Sequence, residues 1–202
     1  MSDFSKIITH TLEYEGVSSK STGYVDHPLD KGGATKFGIS LSFVVDTNDL
    51  ESFDTNNDFI LNKEDIKNLT FEQAVLAYKK YFWDYYDLDE VEDNKKCFLI
   101  FDSAVNHGHK GATKLIQKTL NELGYSLAVD GIYGPKSKAA LIDSPVSEFI
   151  SVFQEKRAAL YKAIVKNNPS QNVFLKGWLN RINNINKDIA YVWAILAVLN
   201  IE

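Results

Sequence analysis

Residues 15–40 read EGVSSKSTGYVDHPLDKGGATKFGIS. The stretch opens on an acidic residue, Glu15, where an apolar helical stripe runs out. It then passes through Gly23, Asp26, Pro28 and Asp30 to the Gly32–Gly33 pair and Thr35. Cleavage of a glycosidic bond needs one group that keeps a proton at neutral pH and others that position or activate water. A carboxyl at a helix end, followed by a loop of carboxylates and a hydroxyl, supplies those parts. The negative end of the helix dipole disfavours a second negative charge beside it. Partial burial against Tyr14 or Phe37 would act in the same direction. Both influences favour the proton-carrying form that a general acid requires. Taken alone, a glutamate at a helix end is more often solvated surface; the neighbours of Glu15 change that reading.

Working outward, Phe4, Ile7, Ile8 and Leu12 recur at helical spacing, with Ser2 or Asp3 to cap the start and Gly16 to end the helix. Residues 17–39 are rich in Gly, Ser, Asp and Pro and predict a loop with room for a short hairpin. Residues 40–46 predict a short helix. A helix over Thr70–Trp83 follows from the Thr70/Gln73 capping box and a Leu69/Ala74 staple. Residues 96–105 are apolar on most faces and predict a central buried helix. Ala112, Leu115, Ile116, Leu120 and Leu123 mark another helix, ended by Gly124. The turn DGIYGP (130–135) leads into a short helix through Leu141, and Pro145 opens a long helix to about Asn167. Two further helices are predicted over 172–183 and 185–200. No β-alternation persists, so the fold class is mainly α with one long active-site loop after the first helix.

The chain has 202 residues, a net charge of −5 and 45% hydrophobic residues. That suits one domain or one domain with a small appendage, with enough apolar residues for a core. The acidic balance and the lack of an evident basic stripe argue against nucleic acid as a partner. Cys97 is the single cysteine, so there is no intrachain disulfide; within CFLIF it reads as a small buried hydrophobe. MSDFSKIITH lacks the features of a signal peptide, and AYVWAILAVLNI is too short to span a bilayer. The expectation is a protein made in the cytoplasm, monomeric by default, that reaches any wall target after lysis or dedicated secretion.

Four stretches resemble one family in matching order. The run EG…GYVDHPLDKGGATKFGIS resembles the EGGY-x-N/D-x-P-x-D-x-GG-x-T-x-x-GI signature of glycoside hydrolase family 108, the muramidases of phage and bacteria. AYKKYFWDYY (77–86) and FDSAVNHGHKGATKLIQ (101–117) resemble two further segments of that family. VDGIYGPKSKAAL (129–141) resembles the companion peptidoglycan-binding segment. The similarity covers roughly residues 4–165. It implies a lysozyme-like helical enzyme that cuts the β-1,4 bond between N-acetylmuramic acid and N-acetylglucosamine, with the family's catalytic glutamate at Glu15. One departure stands out: VSSKST (17–22) is inserted between the two glycines and lengthens the loop carrying Asp26 and Asp30. By analogy with the glutamate–aspartate–threonine order of phage lysozymes, Asp30 and Thr35 would hold the attacking water. Asp30 is equally a turn former at the Gly32–Gly33 bend, and Thr35 a cap.

Tyr24, Asp26, Phe37, Trp83, Asn106 and His107 are candidate sugar contacts, as are Tyr85 and Tyr86; Tyr78, Tyr81 and Phe82 follow a helical period and read as packing. Residues 54–65, DTNNDFILNKED, place oxygen ligands at Asp54, Asn56, Asp58, Asn62 and Asp65, with the Ile60 carbonyl between them. That spacing suits a calcium ion in an EF-hand-like loop with a structural role. Against it, Phe59 stands where glycine normally makes the sharp turn, and Asp65 is shorter than the usual glutamate. The four histidines form no zinc set, and catalysis needs no cofactor. The expected division is a catalytic part over 1–95 and a helical part over 96–202 carrying the peptidoglycan-binding-like segment, packed as one globular unit. The function implied is peptidoglycan hydrolysis. The alternative is a non-catalytic wall-binding or secretion-accessory protein on the same scaffold.

Overall fold

The computed structural model describes residues 4–14, 23–26 and 32–198. The chain divides into two compact units, Asp3–Asp87 and Leu88 onward. The described residues are mainly helical, and the sole sheet among them is a two-stranded hairpin.

In the first unit, α1 (Phe4–Tyr14) turns Ile7, Ile8 and Leu12 inward, all at most 4% exposed. The spacing of those three follows the 3.6-residue period. Phe4 meets the edge of the fully buried Trp83 ring at 5.2 Å. The hairpin joins β1 (Thr35–Lys36) to β2 (Ile39–Ser40), and Val25 extends it through paired backbone bonds of 2.8 Å with Thr35. Its two-residue turn, Phe37–Gly38, has positive φ at both positions, 51° and 77°. That is the primed turn whose twist matches flanking strands. Glycine is required at the second position: a Cβ on Gly38 would lie 2.3 Å from the Tyr78 hydroxyl. That hydroxyl donates to the Phe37 carbonyl at 3.2 Å.

Four short helices follow, each with a side-chain cap. Ser40 caps α2 (Leu41–Thr47) and Asp49 caps α3 (Leu50–Phe53). Asn62 with Asp65 caps α4 (Lys63–Asn68), and Thr70 with Gln73 caps α5 (Phe71–Tyr78). The last two are reciprocal capping boxes that satisfy orphan N–H groups at both ends of the first turn. The predicted helix to Trp83 stops being regular at Tyr78 and continues as a π-helical turn over Lys79–Trp83. That turn places Tyr81 and Phe82 against Phe43: Phe82 stacks at 5.8 Å and Tyr81 meets it edge-on at 5.2 Å.

The second unit is built on α6 (Asn94–Glu122), α7 (Pro135–Asp143), α8 (Val146–Asn167) and α9 (Asn172–Val198). The two helices predicted over 96–105 and 112–123 are the halves of α6, broken at Gly108 with φ 66° and ψ 169°. Only glycine adopts that conformation readily. The halves meet α8 in opposite senses. Asp102 and His107 contact Arg157 and Tyr161, whereas Glu122 contacts Lys156. The chain therefore doubles back along α8 after Gly108. The helices predicted over 172–183 and 185–200 form one unbroken α9, because Ile182, Ile185 and Ile189 keep the buried period across the expected gap. Cys97 is buried, as its apolar setting predicts. Lys96, 2% exposed, donates to the carbonyls of Leu141 and Ser144 and to Ser144 Oγ at the end of α7. A cation there completes the last turn of that helix. No helix among the described residues is long and apolar enough to cross a membrane.

Candidate active site

Glu15 and Asp30 lie outside the described residues; α1 ends on Tyr14, immediately before Glu15. The described part of the loop is the hairpin, and two side chains tie it to α4. Lys36 Nζ donates to the Lys67 carbonyl at 2.6 Å, setting a cation on the C-terminal end of α4. Asp26 pairs with Lys63 at 3.0 Å at the other end of that helix. Thr35 sits within the hairpin, half-buried; among the described residues its hydroxyl makes a long 3.5 Å bond to the Gly33 carbonyl. Tyr24 is half-buried and Asp26 exposed. Phe37 is 7% exposed, packed edge-on against Phe71 at 5.6 Å. Phe37 and Trp83 therefore belong to the core of this unit, and neither ring offers an open face to a sugar. Tyr86 is likewise fully buried, while Tyr85 is 43% exposed.

The oxygen-rich loop between α3 and α4 is closed by its own hydrogen bonds. Asp54 accepts from the N–H groups of Asp58 at 3.2 Å and Phe59 at 2.9 Å. Phe59 takes φ 63° without being glycine, and Asn57 takes 61°. Asp65, 1% exposed, accepts from the N–H groups of Thr55 and Asn62, both at 2.8 Å. The Ile60 carbonyl accepts from Asn62 Nδ2 at 2.9 Å. Among the described residues no three His, Cys, Asp or Glu side chains are gathered to hold a metal ion. The loop's donor set depends on Asn56, Asn62 and a carbonyl as well as on carboxylates.

In the second unit the segment FDSAVNHG ends the first half of α6. Asp102 is fully buried, and two arginines from other helices reach it. Arg157 Nη2 of α8 lies 2.6 Å from Oδ2, and Arg181 of α9 donates to Oδ1 at 2.7 and 3.1 Å. The Arg157 contact is an ion pair, and the Arg157 Nε and Nη1 are buried with no hydrogen-bond partner among the described residues. Burial pushes the Asp102 carboxyl up, but the two guanidinium charges outweigh it and hold the group below the usual carboxylate range. Asn106 is exposed and donates to the Asp102 carbonyl at 2.8 Å. His107 is half-buried, with its ring 5.3 Å from Tyr161. Burial first, and then the charge of Arg157, lower its pKa to about 4, so it is neutral at pH 7. Sequence reasoning missed Asp102, Arg157 and Arg181. The one available signal was a carboxylate set inside the apolar run CFLIFDSA.

The turn DGIYGP is gripped by α6. Gln117 accepts from the Gly131 N–H at 2.9 Å and donates to Asp130 at 2.8 Å. Gly131 has φ 83°, and a Cβ there would meet Lys110 Cγ at 2.8 Å and its carbonyl at 3.0 Å. The turn thus lies directly on the helix, beside a cleft of about 480 Å³ lined by Gln117, Asp130, Ile132 and Ser137.

Two family descriptions match the chain: Glycosyl hydrolase 108 over residues 8–108, and Predicted Peptidoglycan domain over residues 111–183. The border between them falls at the Gly108 break in α6. Among solved structures the chain is similar to the one titled Structure of Brucella abortus SagA, with TM-score 0.67 and 27% identity. That match covers 93% of this chain and 94% of the other. No curated protein matches the chain. Half of the sequence, including the whole of the loop region, falls within the first match, and the second adds a wall-directed segment. The chain belongs to the glycosyl hydrolase 108 family and is a glycoside hydrolase acting on peptidoglycan.

Proposed function

We propose that the protein is an N-acetylmuramidase in which Glu15 is the general acid. The supporting observation is the order Glu15, Asp30, Gly32–Gly33, Thr35 inside the glycosyl hydrolase match, with the hairpin that carries Thr35 tied at both ends of α4. Glu15 protonates the glycosidic oxygen between N-acetylmuramic acid and N-acetylglucosamine as the bond breaks. A water held by Asp30 and Thr35 attacks the anomeric carbon. The Thr35 hydroxyl suits this role because its bond to the Gly33 carbonyl is weak at 3.5 Å. Tyr24, Asp26, Asn106 and His107 are proposed sugar contacts. A neutral His107 can both donate and accept.

Retention or inversion follows from the separation of the second carboxyl from Glu15, ~5 Å for the former and ~6.5–9.5 Å for the latter. The experiment is digestion of purified peptidoglycan by wild type and Glu15→Gln, with mass spectrometry of the fragments. Muramic acid reducing ends from wild type and none from the variant support the reading. Glucosamine reducing ends, anhydro ends, or equal digestion by the variant would reject it.

We further infer a structural calcium ion in the loop Asp54–Asp65. Asp54, Asn56, Asp58, Asn62, Asp65 and the Ile60 carbonyl are oxygen donors of the hard kind that calcium takes. The positive φ at Asn57 and Phe59 curls the loop around Asp54. The ion would hold the loop next to α4 and, through Asp26 and Lys36, the hairpin.

A further inference from the structure

The charge of the chain is unevenly divided. Over residues 8–108, nineteen acidic side chains stand against nine basic ones. Over residues 111–183, ten basic stand against five acidic. The overall −5 hides a cationic segment within an acidic chain. Folding concentrates part of that charge. Lys110, Lys114 and Lys118 recur every four residues on the second half of α6 and so share one stripe.

Between this stripe and α8 runs a groove of about 340 Å³, lined by Leu115, Ala159 and Ala163 and by Lys114, Lys118 and Lys156. Lys156 is engaged by Glu122 at 2.8 Å. Lys114 and Lys118 have no ion-pair partner among the described residues. The Ile132 N–H and the Gln117 amide, donating to the Asp130 carboxylate, hold that group below its ordinary value, and the Lys114 charge adds a smaller effect in the same direction. The Gly131 turn lies beside the Lys114 stem: a Cβ added at Gly131 would come within 3.3 Å of Lys114 Cε.

A groove for sugar rings would offer aromatic faces and neutral hydrogen-bonding groups. This one offers methyl-sized apolar contacts and the ammonium groups of Lys114 and Lys118, which have no ion-pair partner among the described residues. Its complement is a ligand that alternates methyls with carboxylates. The stem peptide of peptidoglycan, with its alanine methyls and free glutamyl and diamino-acid carboxylates, has that pattern. We propose that the α6–α8 groove binds the stem peptide, with Lys114 and Lys118 on its carboxylates and Leu115, Ala159 and Ala163 against its methyls. The proposal rests on the reading that this chain acts on peptidoglycan. It separates recognition of the peptide from cleavage of the glycan. Like-charged lysines one helical turn apart repel each other, and a bound dianion relieves that repulsion.

The test is isothermal titration of the full chain with three probes: L-Ala-γ-D-Glu-meso-diaminopimelyl-D-Ala, the same peptide with all carboxylates amidated, and inorganic polyphosphate. The free-acid peptide should bind and weaken with salt, and the amidated peptide should bind at least ~tenfold more weakly. Lys114→Gln/Lys118→Gln should lose at least ~tenfold in affinity, while Lys166→Gln/Lys176→Gln, which removes the same charge elsewhere, should bind as wild type. Melting curves confirm that both variants fold. Equal binding of the two peptides, equal loss in both variants, or no binding to wild type would overturn the proposal. Polyphosphate binding tighter than the peptide and lost with Lys114 and Lys118 would assign the groove to a phosphate polymer instead. None of these readouts requires glycan cleavage, so they stand or fall separately from the Glu15 experiment.

Discussion

Arg157 of the peptidoglycan-domain segment lies 2.6 Å from Asp102 of the glycosyl hydrolase segment, and both side chains are 0% exposed. With Arg181 on the opposite carboxylate oxygen, two cations from one family segment converge on one anion from the other. The companion segment is therefore part of the same charged core as the FDSAVNHG stretch, and not a detachable module.

Removing Arg157 leaves Asp102 with one cation in a fully buried site. Arg157→Met should destabilise the protein by about 3 kcal/mol, the lower end for a broken buried pair because Arg181 remains. Asp102→Leu combined with Arg157→Met should recover much of that loss, since a buried pair can be replaced by apolar groups at little net cost. Urea unfolding measures both. A chain ending at residue 110 should show no cooperative transition.

His107 gives a pH dependence with a definite sign. Its pKa falls from 6.5 to about 4 on folding. Between those values the unfolded chain binds a proton that the folded chain refuses, so stability drops as pH falls from about 6.5 to 4. The loss attributable to this group is at most about 3 kcal/mol, and less after allowance for its partial exposure. His107→Gln should flatten the melting temperature over that window relative to wild type. Identical pH profiles for the two proteins would contradict the assignment.

Gly38 and Tyr78 should couple. Gly38→Ala forces a left-handed alanine and a 2.3 Å approach to the Tyr78 hydroxyl. Its expected cost is about 2–4 kcal/mol. In a Tyr78→Phe background the clash is gone and only the backbone term of about 1–2 kcal/mol remains. Tyr78→Phe alone should cost about 1 kcal/mol for the lost bond to the Phe37 carbonyl. A double-mutant cycle reads the coupling.

Calcium removal tests the loop between α3 and α4. If the loop holds an ion, millimolar calcium should raise the melting temperature, by an amount equivalent to about 2.7 kcal/mol at a hundredfold excess over the dissociation constant. A chelator should reverse the rise, and Asp54→Asn should abolish it. Identical melting with calcium and with chelator would remove the ion from the account. Phe59→Gly, at an exposed position with φ 63°, should stabilise the loop by about 0.5–1 kcal/mol in either condition.

Local signals were readable wherever they were chemical. The stripe of α1, the Thr70/Gln73 box and Gly124, with its φ of 98° at the end of α6, stand where the sequence puts them. Long-range relationships were not readable. Asp102 and Arg181 are 79 positions apart, and nothing near either one names the other. The polar NHGH run falls between the two helices expected over 96–105 and 112–123, yet it is helix on both sides of a single glycine. The asparagines at 183 and 184 suggest a gap that the continuing Ile182, Ile185 and Ile189 period closes. Trp83 and Phe37 look like sugar platforms in a string of letters, and only packing shows that their faces are covered. The lysine stripe vanishes in a whole-chain net charge because acidic residues elsewhere cancel it.

The Gly108 break also constrains how such proteins can be recombined. A crossover between the two family segments would cut α6 where it reverses along α8, in a backbone conformation closed to other residues. Any replacement C-terminal half would have to bring its own pair of guanidinium groups, on separate helices, to the same aspartate. Segments lacking them would inherit an orphaned anion, so the two halves are bound to travel together.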